Sequence, residues 1–99
     1  MAKSHFNDQL ELVAPTVHLN GTAGEVLAKE WHTAARKLLE ARDAVNAITV
    51  NPRDYYVRSG TSFGMASRHI AELTRALRQI ENDIRTIHLE VQDQLRVRA

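Results

Sequence analysis

FGMASRHIAELTRALRQIENDIRTIHLEV, residues 63–91, places Phe63, Ala66, Ile70, Leu73, Leu77, Ile80, Ile84, Ile87 and Val91 in unbroken steps of three and four. That spacing lines apolar side chains along one stripe of an α-helix, where a strand would alternate every second residue. The stripe is as narrow as a coiled-coil seam, so it needs other helices to cover it. A second seam lies upstream: Leu27, Trp31, Ala34, Leu38, Ala41, Val45 and Ile48, widened by Ala35 and Leu39. Two seams predict an all-α fold, a long antiparallel helical hairpin preceded by an N-terminal arm.

The boundaries follow from local signals. Residues 1–21 form the arm, whose apolar positions are scattered, with Val17-His18-Leu19 suited to a short extended segment and Asn20-Gly21 to a turn. Thr22-Ala23-Gly24-Glu25 matches a capping box, which starts the first helix at residue 22. Pro52 disfavours helix in the residue before it, so that helix ends near residue 49 and a connection covers residues 50–61. The second helix spans residues 62–96. At 1.5 Å per residue the two helices are about 40 and about 50 Å long, so neither covers the other completely. Ile87, Leu89, Val91, Leu95 and Val97 fall on the expected overhang, which must meet either the arm or another subunit. The reading favours another subunit, and with it assembly into a helical-bundle homo-oligomer.

Composition narrows the function. The chain has 99 residues, a formal charge of +1 and no cysteine. Near-neutral charge without a basic stripe argues against nucleic acid as partner, and no apolar stretch is long enough to span a bilayer. The absence of cysteine excludes disulfides and thiolate chemistry and fits a reducing compartment. Met1–Asp8 lacks the apolar core of a signal peptide, so the expected location is the cytoplasm. His5, His18, His32, His69 and His88 include no i, i+4 pair and no His-Glu-x-x-His motif, so no metal is expected. His32, His69 and His88 read as packed or surface residues. Neither a phosphate loop nor a nucleophile elbow is present, and the expectation is a protein that is not an enzyme and carries no cofactor. Glu25 with Lys29, Arg36 with Glu40, Arg68 with Glu72, and Glu81 with Arg85 read as solvated surface pairs.

Two segments carry candidate binding chemistry. In the first, Gly21, Thr22 and the amides that follow can hold an anion at a helix start, with His18 and Asn20 as added donors; a plain turn and cap explain the same residues. In the second, Arg53, Tyr55, Tyr56 and Arg58 cluster in the connection, where arginine suits phosphate and an exposed ring suits a base. A tyrosine plugging the end of the bundle is the alternative there.

His18-Leu19-Asn20-Gly21-Thr22 and Arg53-Asp54-Tyr55-Tyr56 together resemble a group of small helical-hairpin proteins of phage and prophage genomes, over residues 17 to about 95. The chain departs from that pattern at Asn51-Pro52, where the group often has a glycine. The resemblance implies a phage context within a bacterial host cell. By class analogy with small oligomeric phage inhibitors of bacterial immunity, it points to an anti-defence sponge that binds a cyclic or ADP-ribose-type nucleotide without catalysis. The alternative function is a structural or protein-interaction module that docks a host protein through its helix faces.

Overall fold

The computed structural model describes residues 2–98, with Arg98 in its backbone only; Met1 and Ala99, the outer limits of the arm and hairpin segments, lie outside it. It shows α1 at Gly24–Asn46 and α2 at Ser62–Arg98, packed against each other, with a short 3-10 turn at Pro52–Asp54 between them. Overall the molecule measures 62 × 25 × 18 Å. The expected all-helical hairpin is therefore present.

Its register follows from three contacts. Gly24 of α1 lies against Leu95 of α2, the His32 and His88 rings are 5.3 Å apart between centroids, and Arg42 reaches Glu81 at 3.7 Å. Counted from the facing histidines, Asn46 is level with Thr74, so α2 runs about 20 Å past the end of α1 on the side of the connection. The overhang is thus at the N-terminal end of α2, opposite to the expected one. Ile48, Tyr56, Val57, Phe63 and Met65 are exposed at that end.

The C-terminal half of α2 is covered by its own chain. Val91 is completely buried and Ile87 is 7% exposed, while Leu89 and Val97 face solvent. Ile87 and Val91 are therefore buried within the single chain, and the arm is tied to the same half of α2 on either side of them, at Asp83 and Gln94. Val17 is buried against the Gly24–Leu95 contact, and its N–H donates to Gln94 Oε1 at 2.7 Å while Gln94 Nε2 donates to the Pro15 carbonyl at 2.9 Å.

Upstream, residues 2–12 fold back on themselves. The Lys3–Glu11 bridge, Ser4 N–H to the Leu10 carbonyl and Leu12 N–H to the Ala2 carbonyl close a small antiparallel loop. The Ser4 hydroxyl accepts from the amides of Phe6 and Asn7 and donates to Asp83 Oδ2. Asp83 Oδ1 accepts from the His5 amide at 2.7 Å and lies 2.9 Å from the His5 ring Nδ1. Burial raises the Asp83 pKa, but these donors and the nearby imidazole outweigh it and hold the carboxyl below its ordinary value. Val17–Leu19, by contrast, forms no strand, and the turn at residues 19–20 closes through Gly21 N–H to the His18 carbonyl at 3.2 Å.

Both ends of α1 differ from the expected ones. Ala23, not Thr22, is the N-cap, and no side chain caps the helix. Packing is close at this start: a Cβ on Gly24 would meet the end of the Leu95 side chain and press on Val17, so a larger residue would make both side chains shift. Thr22 is exposed and outside the helix. Thr22→Ala is accordingly expected to leave the unfolding free energy from urea titration within about 0.5 kcal/mol of the unmodified protein, against the roughly 1 kcal/mol that a capping threonine contributes. At the other end the helix stops at Asn46 rather than near residue 49, ahead of the β-branched run Ile48-Thr49-Val50. Asn51 Oδ1 then accepts from the Arg53 amide and starts the 3-10 turn, with Pro52 at its first position.

Candidate functional site

Each helix carries a second stripe, one residue along from its apolar seam. On α1 it reads His32, Ala35, Leu39, Arg42; on α2 it reads Arg78, Glu81, Arg85, His88, both in steps of three, four and three. Because α1 and α2 are antiparallel with His32 opposite His88, the stripes run side by side and the remaining positions fall opposite one another. A groove of about 490 Å³ opens between them, with Arg36 and Asn82 completing its lining.

The groove is strongly cationic. Four guanidiniums, those of Arg36, Arg42, Arg78 and Arg85, face one carboxylate, that of Glu81. Glu81 is only 4% exposed, and its oxygens lie 3.7 Å from Arg42 Nη1 and 4.0 Å from Arg85 Nη1. Those separations make ion pairs but are too long for hydrogen bonds, so Glu81 holds the two arginines in place electrostatically and keeps lone pairs for another donor. The reading of Glu81 and Arg85 as a solvated surface pair is corrected here, since Glu81 is buried between the helices. Arg36 likewise lines the groove, while Glu40 pairs with Lys37 at 3.5 Å. Among the described residues no ion pair joins Glu25 to Lys29 or Arg68 to Glu72.

At one end of the groove the two imidazoles are tilted by 47°. Burial, and then repulsion from His32, push the His88 pKa below its ordinary value, which favours its neutral form. No group of three histidine, cysteine, aspartate or glutamate side chains that could hold a metal occurs among the described residues. The arrangement can bind an anion: guanidiniums donate paired N–H bonds to phosphate or carboxylate oxygens, and the helix walls keep water partly away. It offers no hydroxyl or thiol nucleophile, because none lines the groove.

The residues singled out in the sequence lie elsewhere. His18, Asn20, Gly21 and Thr22 are exposed around the turn before α1, with the His18 ring folded over Gly21. Arg53, Tyr56 and Arg58 are exposed in the connection, and Tyr55 is half-buried. At 73% exposure Tyr56 is no bundle plug. The two sets sit at opposite ends of α1, about 35 Å apart along its axis, and none of these residues reaches the groove. The groove's own signal was present in the sequence as the repeat of the three-four-three spacing one position beyond each seam. No helix among the described residues is long and apolar enough to cross a membrane. No family model, curated protein or solved structure matches the chain.

Proposed function

We propose that the protein is a non-catalytic binder that captures a small phosphorylated nucleotide signal in the groove between α1 and α2, as a phage-derived anti-defence protein acting in the bacterial cytoplasm. The observation that carries this reading is four arginines lining one groove of about 490 Å³ with Glu81 as its one carboxylate, only two of them ion-paired to it. Like charges gathered across a helix interface oppose folding, and a bound polyanion relieves that opposition. The volume suits a small molecule rather than a nucleic-acid strand. The phage setting rests on the resemblance of the His18–Thr22 and Arg53–Tyr56 motifs.

The exposed heads of Arg36 and Arg78 allow a test that spares the fold. Calorimetric titration of ligand-free protein with cyclic dinucleotides, cyclic trinucleotides and cyclic ADP-ribose isomers is expected to find a ligand, and Arg36→Gln or Arg78→Gln is expected to weaken it by about tenfold or more. Arg53→Ala and Tyr56→Ala are expected to leave that affinity unchanged. No heat with any member of the panel sinks the reading. Selective loss through Arg53 and Tyr56 moves the site to the connection, where an antiparallel neighbour in a homo-oligomer would bring the His18–Thr22 turn alongside.

One observation favours the protein-interaction reading as second choice. Ile48, Tyr56, Val57, Phe63 and Met65 expose apolar surface together at the connection end, where α2 has no helix opposite it. A second copy or a host protein covering that end is what this reading requires.

A further inference from the structure

Resting on the groove as the binding site, we infer that its ligand carries two separate anionic groups with a hydrogen-bond donor between them. Four residues on from His32 is Arg36, and three back from His88 is Arg85; ten on from His32 is Arg42, and ten back from His88 is Arg78. The facing histidines fix this register, so the arginines form two tiers, Arg36 with Arg85 and Arg42 with Arg78. Each tier takes one guanidinium from each helix. Along the helix axes the tiers are about 10 Å apart.

Glu81 lies between the tiers. Glu81 is 4% exposed, its carboxylate oxygens open to the groove, and its ion pairs at 3.7 and 4.0 Å are too long for hydrogen bonds. A ligand carrying negative charge at that level would be repelled, whereas an N–H or O–H donor would complete the carboxylate. The charge pattern along the groove is therefore positive, negative, positive. Its complement is a molecule with a phosphate or other anionic group at each end and a base amine or sugar hydroxyl in the middle, which excludes a single compact phosphate cluster as the best ligand.

The test uses a molecular ruler on the intact protein. Binding of α,ω-alkane bisphosphonates of increasing chain length is measured by calorimetry at constant ionic strength, beside methylphosphonate, ADP and adenosine 3′,5′-bisphosphate. The inference expects an affinity optimum at an intermediate chain length, about tenfold or more above methylphosphonate, and adenosine 3′,5′-bisphosphate tighter than ADP. Arg36→Gln and Arg78→Gln, one from each tier, should each abolish the advantage of two ends while leaving methylphosphonate within about threefold, because one tier survives. An affinity that rises with total charge whatever the spacing overturns the two-tier inference and leaves anion capture standing. No binding of any of these anions overturns both.

Discussion

Val91→Asp is expected to remove the cooperative unfolding transition at neutral pH or lower its midpoint so far that the protein is partly unfolded at 25 °C. Val91 is completely buried, and an ionised carboxylate there has no partner. The penalty is several kcal/mol, comparable with the roughly 5–10 kcal/mol that holds a domain of this size together. Leu89, two residues earlier, is 55% exposed, and Leu89→Asp is expected to change stability by no more than about 0.5 kcal/mol. Chemical denaturation of both variants, followed by circular dichroism at several protein concentrations, checks the pair. Equal damage from both, increasing on dilution, would mean that a neighbouring subunit covers this half of α2.

Asp83→Ala should release the loop at residues 2–12, while Gln94 still holds Pro15 and Val17. The carboxylate holds the Ser4 hydroxyl, the His5 amide and the His5 ring, and its loss is expected to cost about 2–4 kcal/mol, since hydrogen bonds to a charged group are the stronger kind. The same group sets a pH dependence. Its pKa is held below the ordinary value in the folded protein, so the unfolded chain binds the proton first as pH falls. The stability that Asp83 contributes is therefore complete above about pH 4 and disappears as pH drops through its folded pKa. Urea titrations between pH 2 and 7 should show that acid limb in the unmodified protein and lose much of it in Asp83→Asn. An unchanged acid limb would show that the arm is held by something other than this carboxylate.

Particular residues explain what the sequence made legible. Ile80, Ile84 and Ile87 announce α2 because burial against one helix repeats at the helix period, and the long axis of the hairpin follows from them. Asp83 sits among these residues as an ordinary polar interruption, and nothing local says that Ser4, 79 positions away, supplies its partner. The arm was therefore readable as a segment but not as one tied to α2, and the unpaired end of α2 was expected on the wrong side. Thr22 shows the opposite failure. Its motif suits a cap, but the N-cap is Ala23, and Gly24 follows it in close contact with Leu95. The groove residues were read one helix at a time, so Arg36 and Glu81 fell to i, i+4 pairing rules that ignore what the facing helix presents.

The long sequence separation between Ser4 and Asp83 also bears on how the molecule comes together and apart. Closing a loop this long is entropically costly, so the arm is expected to close after α1 has docked on α2. It is expected to be the first unit to open from the native state, with hydrogen-exchange protection at Ser4, His5 and Val17 lower than in the middle of α2. Each opening of the Val17 end uncovers its apolar contact with Gly24 and Leu95 without melting a helix. A protein built this way has a transient apolar surface whose lifetime is set by the Asp83 contacts at one end of the arm and the Gln94 contacts at the other.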